Sequence, residues 1–170
     1  MKVFNSRLLI LAGLTIFLLF GAVKLNAQHI QISANYAQGL RYNNNWDLFN
    51  GGAELSADYI FDSNDLLFNS GFDLRTIQWG NQLSISLGIA KKNGDRFELG
   101  AEIQNGLALF YQRSLYVLGV SIKGSYSLLK MEKMNMGISL EARYSNCPAY
   151  KAYGQIYHVV EIPIGLYIRF

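Results

Sequence analysis

The sequence has a single cysteine, Cys147, and lacks the compact motifs that commonly mark an enzyme. One cysteine excludes an internal disulfide. The chain also lacks a histidine, cysteine or carboxylate cluster at metal-ligand spacing, a phosphate-binding glycine loop, and a basic stripe with interleaved aromatic residues. These absences argue against a metal, a nucleotide cofactor and a nucleic-acid partner. We therefore predict no cofactor, no metal site and no catalytic residues.

Excess charge is missing as well, once the first 27 residues are set apart. The whole chain has 15 basic and 12 acidic residues, and three of the basic ones, Lys2, Arg7 and Lys24, lie in that N-terminal segment. The part from Gln28 onwards therefore has 12 residues of each sign. Such a balance gives no electrostatic reason to bind nucleic acid or an anionic surface.

The N-terminal segment has the layout of a secretory signal peptide. Two basic residues precede an apolar run over residues 8–23, and Ala27 offers a small residue for cleavage. The run is shorter than the roughly 20 residues that a membrane-spanning helix needs. We predict a signal peptide over residues 1–27, cleaved near Ala27, and one domain over residues 28–170. An uncleaved anchor helix is the alternative, since Lys24 separates the apolar run from the cleavage site.

No later stretch is long and apolar enough for a membrane helix, and what recurs instead is alternation of apolar and polar residues. This pattern indicates β-strands, here longer than the five or six residues usual in globular proteins. The alternating segments cover residues 29–42, 51–61, 66–78, 82–91, 96–110, 114–128, 135–145 and 156–170. Turn-forming residues lie at 62–65, 91–95 and 129–134, and we predict longer connections at 43–50, 79–81, 111–113 and 146–155.

The two faces of each segment differ sharply. One face is apolar and carries no Asp, Glu, Lys or Arg, as at Leu83, Ile85 and Leu87. The opposite face collects the charges among serines and glycines: Arg41, Glu54, Asp58, Asp73, Arg75, Arg96, Glu98, Glu102, Lys123, Glu141, Arg143, Glu161 and Arg169. Seven acids and six bases on one face predict a network of salt bridges, for example between Arg143 and both Glu141 and Glu161.

Two architectures are compatible with this alternation. A soluble sandwich or barrel would point the apolar face to a core, whereas a membrane barrel points it to lipid. The strands reach the 9–11 residues needed to cross a barrel wall, and aromatic residues such as Tyr59 and Tyr144 lie near strand ends. A lysine or arginine facing mid-bilayer lipid costs about 2–4 kcal/mol, which explains an uncharged face. We predict an all-β fold, an eight-stranded antiparallel transmembrane up-and-down β-barrel.

The last ten residues, "EIPIGLYIRF", carry a further signal. A final aromatic residue, Phe170, follows Ile168, Leu166 and Gly165. In this respect the chain resembles the small, eight-stranded bacterial outer-membrane β-barrel proteins, although Pro163 stands where a polar residue is commoner. The resemblance implies a location in the cell outer membrane and recognition of these four residues by the barrel-assembly machinery.

An eight-stranded barrel is just wide enough to be filled by its own side chains. We therefore predict a structural or surface-interaction role, with outer-membrane lipids and an unidentified extracellular ligand as partners. A narrow porin-like channel for ions or small solutes is the alternative.

A lipid A-modifying hydrolase is a weaker alternative. The stretch "EARYSNCPAY" resembles the motif of outer-membrane lipid A deacylases, with Ser145 and Asn146 in matching places. Arg143 stands at the histidine position, and an arginine cannot act as the general base that activates a serine. Glu161 lies downstream, as in that family, but the alternation places His158 on the opposite, lipid-facing side.

Overall fold

The computed structural model describes residues 27–43, 45–77, 80–110, 113–146 and 158–170, and eight β-strands account for nearly all of them. The strands are β1 (Ala27–Asn43), β2 (Asn45–Ser63), β3 (Leu66–Ile77), β4 (Gly80–Asn93), β5 (Phe97–Phe110), β6 (Arg113–Met131), β7 (Met134–Asn146) and β8 (His158–Arg169). No helix within these ranges is long and apolar enough to cross a membrane.

The strands form a closed antiparallel barrel, as the alternation predicts. Each strand pairs with the next, and β8 pairs with β1. Following paired residues from Ile30 on β1 around the barrel leads back to β1 at Leu40, so the register is staggered by ten residues. Such a stagger tilts the strands, and with eight of them leaves an interior that side chains can fill. The predicted up-and-down barrel is therefore confirmed.

One end of the barrel carries three tight turns, which join β2 to β3, β4 to β5 and β6 to β7. We call it the turn end. Asn64 and Gly94 turn with φ of 56° and 71°, a left-handed conformation that asparagine and glycine tolerate best. Arg96 lies exposed in the second turn. Its predicted place on the inner face of a strand is wrong, because the turn extends from Gly94 through Arg96.

At the opposite end, which we call the loop end, the strands are longer than the alternation predicts. The predicted connection over residues 43–50 is wrong, because β2 already begins at Asn45 and pairs with β1. The alternation does not reveal this part of the strand, because a β-bulge with Gly52 at φ 71° reverses which side chains point inwards. Strand residues also replace parts of the predicted loops 79–81, 111–113 and 146–155, whose remaining positions lie outside the described residues.

The barrel is apolar outside and polar inside. Ile103, Ile122 and Ile164 point outwards with about 60% of their surface exposed (59%, 60% and 60%). Ser86 and Glu161 point inwards and are fully buried. A soluble barrel has the reverse arrangement, whereas an apolar exterior around a polar interior is typical of membrane barrels.

Candidate functional site

The predicted charged residues other than Arg96 line the barrel interior from one end to the other. Arg41 lies at the loop end, where it pairs with the half-exposed Asp47 at 3.5 Å. The other predicted residues lie deeper or nearer the turn end: Glu54, Asp58, Asp73, Arg75, Glu98, Glu102, Lys123, Glu141, Arg143, Glu161 and Arg169.

Arg143 on β7 binds both Glu54 and Glu141 in the interior. We call these three residues the central cluster. Arg143 Nη1 and Nη2 donate to the two carboxylate oxygens of Glu54 at 2.5 and 3.0 Å. Its Nε and Nη2 donate to Glu141 at 2.7 and 3.1 Å. All three side chains are at most 4% exposed. Since Glu54 belongs to β2 and Arg143 to β7, this cluster spans the barrel interior.

A second bridge spans the interior beside the central cluster. Arg75 on β3 donates to Glu161 on β8 at 2.7 Å, and both side chains are at most 4% exposed. Glu161 faces Arg143 in the backbone register of β7 and β8, which agrees with the predicted pair. Nevertheless, the ion pair that Glu161 forms is with Arg75, because the tilt of the strands carries that guanidinium towards β8.

Between the two bridges and the loop end, the interior holds apolar residues beside the buried polar Gln82 and Ser145, a feature that the sequence analysis missed. Five inward-facing apolar residues there are at most 6% exposed: Ala37, Ala108, Leu115, Val117 and Val159. They occupy the same alternating positions as the interior charges, so the alternation of the sequence could have predicted that they point inwards. They bury the ion pairs away from the loop end.

The turn-end part of the interior combines polar contacts with the buried apolar residues Ile60 and Leu67. Arg169 donates to both oxygens of Glu98 at 2.7 Å and to Gln31 at 2.8 and 3.0 Å. Lys92 forms an ion pair with Asp62 at the rim. The contacts of Arg169 tie β8 to β1 and β5 near the point where the backbone of Phe170 pairs with β1.

Between the turn end and the central cluster lies a group that we name the acidic layer: Asp58, Asp73, Glu102 and Lys123. Lys123 Nζ is 4.0 Å from Asp58. Glu102 accepts hydrogen bonds from Asn69 at 3.1 Å and from Gln104 at 3.2 Å. Asp73 is 6% exposed, and its Oδ2 accepts no hydrogen bond from the described protein groups.

The predicted near-balance of interior charge is wrong. Apart from the rim pairs Arg41–Asp47 and Lys92–Asp62, the described part of the interior holds seven carboxylates and four basic groups. The excess of carboxylates over basic groups has two causes. Arg96 lies in a turn outside, and Arg41 is occupied at the rim by Asp47, which the segment boundaries left out.

A cavity of about 50 Å³ lies between the turn end and the acidic layer. Its lining includes Gln31, Asn69, Glu98 and Arg169 near the turn end, and Asp58, Glu102 and Lys123 farther in. One water needs roughly 10–15 Å³ measured in this way, so the cavity has room for a few waters or a small ion.

The deacylase-like residues do not come together. Ser145 points into the interior and is 5% exposed, and its Oγ has no partner among the residues that the structure describes. His158 points outwards, where its Nδ1 lies 2.5 Å from Tyr144 Oη and 3.0 Å from the Asn146 amide. A serine and a histidine on opposite faces of the wall cannot form a nucleophile–base pair. Glu161 is occupied by Arg75.

The predicted assembly residues lie on β8 and, for Phe170, directly after it, where the backbone still pairs with Ile30 of β1. Leu166 and Phe170 are exposed on the exterior, at 64% and 55%. Gly165 faces inwards, where a side chain would meet the Asn35 amide. Recognition of Gly165, Leu166, Ile168 and Phe170 by the assembly machinery stays a prediction.

The comparisons with known proteins agree with this geometry. No protein-family model and no curated protein sequence matches the chain. Among solved structures, Neisserial surface protein A is similar with a TM-score of 0.52 and 14% identity, covering 84% of this chain and 95% of that one. Ail, the attachment invasion locus protein of Yersinia pestis, gives a TM-score of 0.52 and 18% identity, covering 84% and 98%. A second Ail structure, in complex with the heparin analogue sucrose octasulfate, gives 0.50 and 16%, covering 84% and 99%.

At these identities the likeness concerns the fold. It agrees with the eight strands, the closed register and the apolar exterior described above. The chain therefore has the fold of the small, eight-stranded bacterial outer-membrane β-barrels.

Proposed function

We propose that the protein is an integral outer-membrane barrel whose interior is closed to solutes and whose loop end interacts with the cell's surroundings. The observation that carries the proposal is the pair of ionic bridges across the interior. Arg143 joins β7 to Glu54 on β2, and Arg75 joins β3 to Glu161 on β8. Buried, hydrogen-bonded guanidinium–carboxylate pairs occupy the width that a solute would need.

The apolar exterior supports the outer-membrane location. Outward side chains form a largely apolar surface, with isolated polar residues such as Asn105, and lipid tails would cover it. By analogy with other barrels, the short turns would lie in the periplasm and the loop end outside the cell. Outer-membrane lipids are then the first partners of the protein. A mature protein that remained in the aqueous fraction without detergent would contradict this location.

The loop end supports a surface role. Within the described strands, the ribbon of β1 and β2 reaches Asn43 and Asn45, whereas β2 pairs with β3 only from Glu54 onwards. On the β3 side the ribbon therefore extends past the neighbouring strand, while β1 stays paired with β8 as far as Tyr42. The structural neighbours are named as a surface protein and an attachment invasion locus protein, and one was solved with a heparin analogue. For this chain we propose an extracellular ligand of unidentified chemistry.

Single-channel recording tests the closed interior against the porin-like alternative. Purified protein, shown to be folded by its change of gel mobility on heating, is inserted into planar lipid bilayers. We expect no steady conductance, because both bridges and the apolar residues above them obstruct the interior. A steady conductance that scales with the amount of folded protein would contradict the proposal and favour the channel.

A further inference from the structure

We propose that the acidic layer binds one hard divalent cation of the Mg²⁺ type, which keeps part of its water shell. Three carboxylates, Asp58, Asp73 and Glu102, face a single ammonium group, Lys123, in this layer. Their formal charges sum to −2. Buried charge of one sign is unfavourable unless an opposite charge lies beside it, and a divalent cation supplies the missing two charges.

Unpartnered oxygen atoms in the same layer supply the second line of support. Asp73 Oδ2 and the hydroxyls of Ser56, Ser86 and Ser121 accept or donate no hydrogen bond within the described part of the protein. The four residues are 6%, 5%, 0% and 5% exposed. Buried polar atoms almost always have a partner, so several orphaned oxygens together indicate an ion, water, or both.

The strand register brings these oxygens to one level of the interior. Ser56 is paired directly with Asp73 across β2 and β3. Ser121 is paired with Glu102 across β5 and β6. The unpartnered hydroxyls therefore flank the carboxylates of the acidic layer.

A glycine makes room for one carboxylate of the acidic layer beside an unpartnered hydroxyl. Gly71 pairs with Asp58 on one side and with Ser86 on the other. A Cβ at Gly71 would collide with Asp58 Oδ1 and would lie 2.7 Å from Ser86 Oγ. The carboxylate and the hydroxyl therefore converge over a position that has no side chain.

The ligand set determines the class of ion. All available ligands are carboxylate or hydroxyl oxygens, which suit hard cations such as Mg²⁺ and Ca²⁺. Within the described residues, no three carboxylates are close enough to hold a metal ion directly. Mg²⁺ usually binds only one or two carboxylates and retains several of its water ligands. The cavity below the layer, lined in part by Asp58, Glu102 and Lys123, has room for some of the water that such an ion retains.

Calorimetric titration of MgCl₂ into folded, EDTA-treated protein in detergent micelles tests the proposal, with NaCl at equal ionic strength as the blank. We expect saturable binding of one ion. Asp73→Asn should weaken it at least tenfold, and Ser86→Ala, which changes no charge, at least threefold. The matched control is Asp47→Asn, the same substitution at the loop-end rim, which should bind as the unaltered protein does.

Heat-dependent gel mobility verifies that each variant is folded and gives a second readout. Mg²⁺ should raise the unfolding temperature of the unaltered protein and of Asp47→Asn, but not of Asp73→Asn. Absence of saturable binding would overturn the proposal and leave protons as the neutralising ions. Equal binding by Asp73→Asn would overturn it as well. Neither result bears on the closed interior, which is tested separately by conductance.

Discussion

Replacement of Arg143 by methionine is the sharpest test of how the interior is stabilised. The substitution retains most of the apolar stem and removes the guanidinium that lies between Glu54 and Glu141. Four charge-assisted hydrogen bonds, of 2.5 to 3.1 Å, would be lost. Two carboxylates that are at most 4% exposed would be left without their cation.

The expected loss follows from the burial of these groups. Breaking a buried ion pair by removing one partner costs about 3–5 kcal/mol, because the remaining charge is left uncompensated. Replacing all charged partners by neutral groups of similar shape is often close to neutral. We therefore expect Arg143→Met to lower the free energy of unfolding by about 3–5 kcal/mol. Combining it with Glu54→Gln and Glu141→Gln should recover most of that loss.

Urea titration of protein folded in lipid vesicles measures these changes, with the folded fraction read from gel mobility without heating. The matched control is Arg41→Met, since Arg41 pairs with an Asp47 side chain that is 55% exposed. Exposed pairs contribute about 0–1 kcal/mol. If Arg143→Met cost no more than Arg41→Met, the central cluster would not stabilise the barrel. If the triple variant were as unstable as Arg143→Met, uncompensated carboxylates would not be the cause.

Three further predictions use the same titration. Ile103→Lys, at an outward position that is 59% exposed, should cost about 2–4 kcal/mol in vesicles, and a negligible loss would refute a lipid-facing exterior. Asn64→Ala should cost about 1 kcal/mol at φ 56°, whereas Asn64→Gly should be nearly neutral; equal losses would show that backbone conformation is not the reason. Gly137→Ala should cost about 1–3 kcal/mol, because the new methyl would collide with the Tyr126 backbone oxygen and lie 2.6 Å from the Tyr167 ring and hydroxyl; Tyr167→Ala in the same chain should relieve only the second contact and so recover part of the loss. A Gly137→Ala loss that persisted unchanged beside Tyr167→Ala would place the clash elsewhere.

The sequence alone could predict which side of the wall most residues occupy. Side chains alternate along a strand, so Glu54 and Asp58 must share a face, and both do lie inside. The same reasoning fails at a bulge, where one extra residue reverses the faces. It therefore missed the first part of β2, before Gly52, and assigned it to a loop.

The partners of the interior charges could not be predicted in this way. Arg143 and Glu54 are 89 positions apart, and Arg75 and Glu161 are 86 apart. Which of them meet depends on the stagger of ten residues around the barrel, a property of the closed register and not of any one strand. Alternation assigns Arg143 and Glu161 to the same interior, but it cannot tell that Arg75 binds Glu161 instead.

The positions of the bridges within the ring of strands explain why the interior should stay closed. The strand pairs β7–β2 and β3–β8 are each three positions apart around an eight-membered ring, so both bridges cross the interior and do not run along the wall. Widening the barrel would require strands to separate, and every strand is paired on both sides. A solute could pass only if both guanidinium groups moved away from their carboxylates, and the buried apolar residues towards the loop end hinder such groups from reaching water there. Opening would therefore leave several charges unpaired at once, which is the physical reason to expect a barrel that does not conduct.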